Sequence, residues 1–278
     1  MIGIIRRMPR TIRSTSMTSS PIRRIIGQLA ISAFLAVDSI RSRAQQYILL
    51  LAHMRSGSSL LLHILASNPE IAGCGELNST YATNRDLARL ALRSRLQNRL
   101  LRRRPSYIVD QLNHSRLIQS PDLLSRPEVS CVYLLREPAG AISSMTDVLN
   151  HHYGFSLNEA CGYYRERLAS LAECAISTPG RDRAFVLTYD ELIKRPRLTL
   201  DALGRFLGLN ARLTENYRLF HFTGKRGDPS RQIFAGRIVN KARPIDPNID
   251  PNLLVELEEH YENRLRQLQA SCLSAESG

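Results

Sequence analysis

Tyr47-Ile48-Leu49-Leu50-Leu51-Ala52-His53-Met54-Arg55-Ser56-Gly57-Ser58-Ser59-Leu60-Leu61-Leu62-His63-Ile64-Leu65 is the stretch on which the fold turns. Tyr47 to Leu51 is a short apolar run, which predicts a strand buried on both faces of a parallel sheet. Ala52 to Gly57 is a turn of small residues. Ser58 to Ala66 is apolar at helical spacing and is stopped by Ser67-Asn68-Pro69. Strand, small-residue loop and helix together make an anion cradle, because the loop amides and the positive end of the helix dipole point the same way. An ordinary strand-turn-helix is the plainer reading of this stretch alone.

The form of the cradle narrows its ligand. A nucleotide-hydrolysing phosphate loop reads G-x-x-x-x-G-K-[ST]. Here Ala52 and Gly57 take the two Gly positions and Ser59 the Ser/Thr position, but Ser58 stands where the Lys belongs. The cation has moved back into the loop, to Arg55.

A chain of 278 residues with 43% hydrophobic content is long enough to bury a full core, and one α/β domain with a tail is expected. The net charge of +13 calls for an anionic partner such as a nucleotide, phosphate, sulfate, acidic polymer or membrane surface. Nearly all of it is arginine, with lysine only at positions 194, 225 and 241. Arginine suits fork-like recognition of phosphate and sulfate. The five cysteines are odd in number and lack C-x-x-C spacing, so neither a disulfide framework nor a metal site is expected, and a reducing compartment fits.

Residues 1–44 look separate. Arg6, Arg7, Arg10, Arg13, Arg23 and Arg24 precede a mostly apolar run from Ile25 to Val37, and no acidic residue comes before Asp38. A presequence, a short signal anchor, an amphipathic helix on an anionic membrane and an over-extended start at Met1 all fit this pattern. The favoured expectation is a tail leading into a packed helix. Further along, Ile71 to Cys74 predicts a short strand followed by Glu76, at the carboxyl end where ligands bind in open α/β sheets. Residues 85–104 predict a basic helix, with Asp86 suited to its N-terminus. Its arginines read as a solvated face, or as a funnel toward an acidic acceptor or membrane. No nucleic-acid motif accompanies them.

Tyr107 to Gln111, Val129 to Leu135 and Ala184 to Thr188 complete the expected strands, the last ending in Tyr189-Asp190. Asn113 and His114 lie just past the first of these. Arg136 ends the second, and Pro138 opens a helix that carries Ser144. Arg136 and Ser144 can hold a second phosphate, or Arg136 can simply pair with Glu137 or Asp147. Helices are expected over residues 157–175, 197–207 and 252–270. Thr223 to Pro229 is a Gly-rich basic loop able to wrap an anion.

At this point the chain resembles the sulfotransferases that use 3'-phosphoadenosine 5'-phosphosulfate (PAPS). Arg55-Ser56-Gly57-Ser58-Ser59-Leu60 resembles the family's 5'-phosphosulfate loop in the Arg form of the carbohydrate and tyrosylprotein enzymes. Val132 to Pro138 with Ser144 resembles its 3'-phosphate motif. Leu187 to Leu192, Pro196 and Phe206 to Leu209 follow in the family's order, and Gly224 to Asp228 resembles the late basic loop over the cofactor.

The resemblance implies a P-loop-like three-layer α/β sandwich with a mostly parallel sheet, occupying residues 45–278 behind the basic tail. It implies sulfonyl transfer from PAPS to a hydroxyl of a sugar, phenol, peptide or lipid, without a metal. Arg55, Ser56, Gly57, Ser58, Ser59 and Leu60 would bind the 5' end, Arg136 and Ser144 the 3'-phosphate, Tyr189 the adenine, and Lys225, Arg226 and Gly227 the closing loop. Glu76 resembles the base of the tyrosylprotein branch and His114 lies near the catalytic His of the small-molecule branch. The loop type favours Glu76. Gln111 departs from the Lys that related sequences carry there. A P-loop kinase and a non-enzymatic anion or membrane binder are the competing classes. A cytoplasmic, bacterial-type enzyme is expected, with membrane association as the alternative.

Overall fold

The computed structural model describes residues 21–39, 44–99, 104–146, 155–178, 180–225, 231–240 and 249–276. Among these residues five strands form one sheet: β1 (Gln46–Ala52), β2 (Ile71–Gly73), β3 (Tyr107–Leu112), β4 (Val129–Leu135) and β5 (Ala184–Thr188), in the order β2-β3-β1-β4-β5. All pairings are parallel, so helices cover both faces.

The apolar run of β1 is explained by this double coverage. Tyr47, Leu49 and Leu51 enter one core and Ile48, Leu50 and Ala52 the other. The second core is closed by α2 (Ser58–Ser67), through Leu61, Leu62 and Leu65, and by α7 (Pro196–Phe206), through Leu200 and Leu203. The first is closed by α3 (Asn84–Gln97), α4 (Pro138–Thr146), α5 (Leu157–Ser177) and α8 (Pro251–Ser271). The result is the expected three-layer α/β sandwich, with a sheet that is wholly rather than mostly parallel. Helix α1 (Pro21–Ser39) packs against α3.

Two expectations are corrected. The basic helix does not run to Arg104 but ends at Gln97, where the Asn98 side chain donates to Ser94 O and Gly73 O (2.8 Å each) and Arg99 turns left-handed at φ 53°. Asn competes with the helix by offering the backbone a local alternative. A further short helix, α6 (Tyr189–Lys194), starts where an extended end was expected. Glu191 accepts from Thr188 N (2.7 Å) while Thr188 Oγ1 accepts from Glu191 N (3.1 Å), a reciprocal cap that nucleates this single turn and a half.

Candidate active site

Sheet order reverses around β1, which pairs with β3 on one side and β4 on the other. The carboxyl end of β1 is therefore the switch point at which open α/β sheets bind ligands. The loop leaving β1 runs into α2 through Arg55 at φ 64° and Gly57 at φ 91°, two left-handed residues that wrap the backbone into a concavity. Gly57 is required twice over, because a Cβ there would also lie 2.5 Å from the Tyr189 ring. Gly57→Ala is expected to lower affinity for adenosine 3',5'-bisphosphate at least tenfold, read by titration calorimetry, since either the loop or Tyr189 must move.

One cavity of about 320 Å³ gathers most of the sequence-predicted residues. Its wall includes Arg55, Gly57, Ser58, Ser59, Leu60, Glu76, His114, Arg136, Ser144, Tyr189 and Lys225. Ser56 is not on that wall. It is fully buried beneath the loop, and its Oγ finds no protein partner. Any contribution of Ser56 to an anion is through the loop it supports. Arg226 and Gly227 lie outside the described residues.

The two expected phosphate sites are physically joined. Arg55 Nε donates to Ser144 Oγ (2.8 Å), and Arg136 Nη1 donates to Arg55 O (3.2 Å). Arg136 is 8% exposed, with its guanidinium 4.4 Å from the centre of the Tyr189 ring. A Cβ on Gly140 of α4 would run into the Arg136 and Glu137 side chains, so this glycine makes room for the guanidinium. Arg136 also lies 3.4 Å from Glu137, so the simple ion pair and the cavity position coexist.

Behind the loop, fully buried His53 couples it to β4. Its Nε2 accepts from Arg136 N (2.9 Å), so Nδ1 carries the proton and donates to Met54 O (2.8 Å). Burial lowers its pKa to about 4, and the neutral ring fills this bridging role at neutral pH. Arg167 of α5, also buried, donates to Ala52 O (2.9 Å) and Leu112 O (2.7 Å), gathering the carboxyl ends of β1 and β3. Burial lowers its pKa as well.

Glu76 faces the same crevice as Arg55. A polar relay connects it to the cradle: Asn113 Nδ2 donates to Glu76 Oε1 (3.1 Å), and Ser58 Oγ donates to Asn113 Oδ1 (3.2 Å). Tyr163 OH donates to Asn113 O (2.6 Å) and accepts from Met54 N (2.9 Å), fixing the relay against the loop. Gln111 Nε2 also stands 3.5 Å from Glu76 Oε2. Burial raises the Glu76 pKa above its ordinary value, against the opposing pull of Asn113.

The segment bearing Glu76 is held from below by Asp110 of β3. Asp110 accepts from Leu77 N (3.3 Å), Gln111 N (2.9 Å) and Tyr81 OH (2.6 Å). Burial pushes the Asp110 pKa up to about 7, with the nearby Glu76 charge adding to the rise. His114 also lines the cavity, and burial lowers its pKa, with Arg116 and Arg167 acting the same way.

His53, Asp110 and Arg167 carry no spacing signal that marks them in the sequence. His53 lies inside the decisive motif, which was the one available clue. Among the described residues, no group of three or more His, Cys, Asp or Glu side chains could hold a metal.

A loop-and-helix cradle, a second arginine-bearing strand end and a buried carboxylate thus share one cavity at the switch point of a parallel α/β sheet. The sulfotransferase domain family matches residues 45–241, and the chain belongs to that family. No curated protein matches it. The fold is similar to the sulfotransferase domain of the curacin biosynthetic pathway, with TM-score 0.50, 17% identity, and 82% of this chain and 99% of that one covered. It is also similar to the sulfotransferase domain of the Synechococcus PCC 7002 olefin synthase, with TM-score 0.52, 18% identity, and 80% and 97% covered. At these identities the likeness establishes the shared fold.

Proposed function

We propose that the chain moves the sulfonyl group of PAPS to a hydroxyl of a sugar, phenol, peptide or lipid acceptor. The observation that carries this reading is that Arg55 bonds Ser144 and, through its carbonyl, Arg136, on one cavity wall with a buried carboxylate on the same cavity. An adenosine phosphorylated at both ends fits such a pair. The left-handed Arg55 and Gly57 and the α2 N-terminus suit an anion at the loop.

The donor supplies an electrophilic sulfur on a phosphate leaving group. The loop amides with Ser58 and Ser59 hold the 5'-phosphate, and Leu60 closes the cavity beside them. Arg55 delivers positive charge to the oxygen that becomes negative as the sulfonyl departs, and such preorganised charge is the larger part of group-transfer catalysis. Arg136 and Ser144 grip the 3'-phosphate. Tyr189, stacked on Arg136, offers a ring face to the adenine, and Lys225, with Arg226 and Gly227 following, shields the donor. Glu76 takes the acceptor proton. Its pKa, raised by burial, makes it a stronger base than an exposed carboxylate. Assays with labelled donor over sugars, phenols, peptides and lipids identify the acceptor.

Differential thermal stabilisation tests the donor. At a concentration 100 times its Kd, adenosine 3',5'-bisphosphate should stabilise the chain by about 2.7 kcal/mol, a rise of roughly 5–10 °C for a domain of this size. ATP with magnesium should give a much smaller rise, because Ser58 stands where a kinase carries its Lys. No shift with the bisphosphate, or a larger one with ATP, would sink this reading.

A further inference from the structure

Helix α1 turns an apolar face to solvent. Ile26 and Leu29 are 60% and 64% exposed, and Ala30 and Ala33 are exposed on the same side at helical spacing. Its half-buried Ile31 and Phe34 turn away from that side, and Phe34 packs 4.9 Å beneath the Arg95 guanidinium of α3. A surface helix ordinarily points charge outward, yet no charged residue lies between Arg24 and Asp38. Single exposed leucines are unremarkable, but a contiguous apolar row marks a surface that binds something.

The surroundings say what binds. Every charged residue ahead of Ile26 is an arginine, and the first carboxylate is Asp38. Helix α3, on which α1 packs, exposes Arg85, Arg89 and Arg93 at four-residue spacing, with Arg89 tied to Asp86 at 2.9 Å, and also exposes Leu96 at 61%. No helix among the described residues is long and apolar enough to cross a membrane, so the surface suits lying on a bilayer rather than spanning it.

We propose that the outward face of α1 docks the protein peripherally on an anionic lipid bilayer. Ile26 and Leu29 enter the interface, and the neighbouring arginines meet the headgroups. A second copy of the chain is the competing occupant. It carries the same arginines and the same net charge of +13, so face-to-face contact brings like charges together, whereas an anionic leaflet is complementary.

Co-sedimentation of the full chain with lipid vesicles tests this. It should pellet with phosphatidylcholine vesicles containing phosphatidylglycerol, weakly or not at all with phosphatidylcholine alone, and less as salt is raised. Ile26→Glu with Leu29→Glu should lower vesicle affinity roughly a hundredfold. Arg85→Gln with Arg93→Gln should lower it about fivefold per arginine. All four positions are exposed, so the parental melting temperature should persist. A polarity-sensitive dye on Leu29→Cys, with half-buried Cys174 replaced by Ser, should shift to the blue on anionic vesicles, the other four cysteines being buried from the label. The proposal is overturned by absence of pelleting with anionic vesicles, by pelleting indifferent to the glutamate pair, or by a dye that does not shift. A parental dimer that the glutamate pair splits in light scattering would overturn it in favour of self-association.

Discussion

Arg55→Gly is expected to lower kcat about a thousandfold while leaving the melting temperature nearly unchanged. The two effects separate because Arg55 sits at φ 64°. A side chain in that left-handed conformation costs about 1–2 kcal/mol, which glycine removes. Against that gain, glycine adds about 0.5–1 kcal/mol of unfolded-state entropy, and the lost bond to Ser144 costs about 0.5–1.5 kcal/mol. These terms cancel to within about 1 kcal/mol, so the strained arginine is retained for what its guanidinium does. Arg55→Lys keeps the charge without the fork or the Nε bond to Ser144, and should recover only part of the loss. Steady-state kinetics beside differential scanning calorimetry decide the matter. A glycine variant within tenfold of the parent rate would remove Arg55 from the chemistry.

How much was legible follows from how each element declares itself. Strands β4 and β5 have the bounds that their apolar runs imply, because a parallel strand covered on both faces must be apolar throughout. The β1–loop–α2 unit was equally readable, since its small residues mark the close turn and its Leu residues the helix face. Helix α6 was not, because six residues are too few to show a period. Its one sequence sign was the Thr188 and Glu191 cap, with Pro196 beyond. The end of α3 was misplaced because the arginines past Asn98 continue the charge pattern, while the terminating Asn98 bonds depend on a carbonyl of β2.

The site divides the same way. Arg55, Glu76, Arg136 and Ser144 stand at strand ends or on the helices that follow, and strand ends are where topology places ligands. Spacing alone could therefore nominate them. The residues that hold them in place could not be nominated, since His53 is informative only once Arg136 N is known to reach it. Asp110 likewise reads as a misplaced carboxylate until Leu77 N and Tyr81 OH converge on it. A buried polar side chain is defined by its partners, and the partners are set by the tertiary fold.

Glu76→Gln is expected to abolish most transfer and at the same time to stabilise the protein at neutral pH. Loss of a general base costs about 10²–10⁴-fold in rate. The stability gain follows from the raised pKa, caused first by burial. A carboxyl whose folded pKa lies above its unfolded value of 4.5 favours the folded state fully below that value, and the advantage is lost as pH rises through the folded pKa. Above the folded pKa the native protein therefore bears a buried charge that glutamine removes. Glutamine's amide oxygen can still accept from Asn113 Nδ2, so the relay to Ser58 survives. The melting-temperature gap between variant and parent should accordingly be largest at neutral pH and vanish on acidification below about 4.5. The parental rate should rise with pH on its acidic limb as Glu76 ionises, and this limb should be absent from the residual activity of the variant. Bisphosphate affinity should be retained, because Glu76 is placed toward the acceptor rather than the donor phosphates. With Glu76 as the base, His114→Gln should cost less than tenfold, because His114 then only lines the cavity. If Glu76→Gln turned over at the parental rate and His114→Gln did not, the base would be His114, and the raised pKa of Glu76 would reflect burial alone.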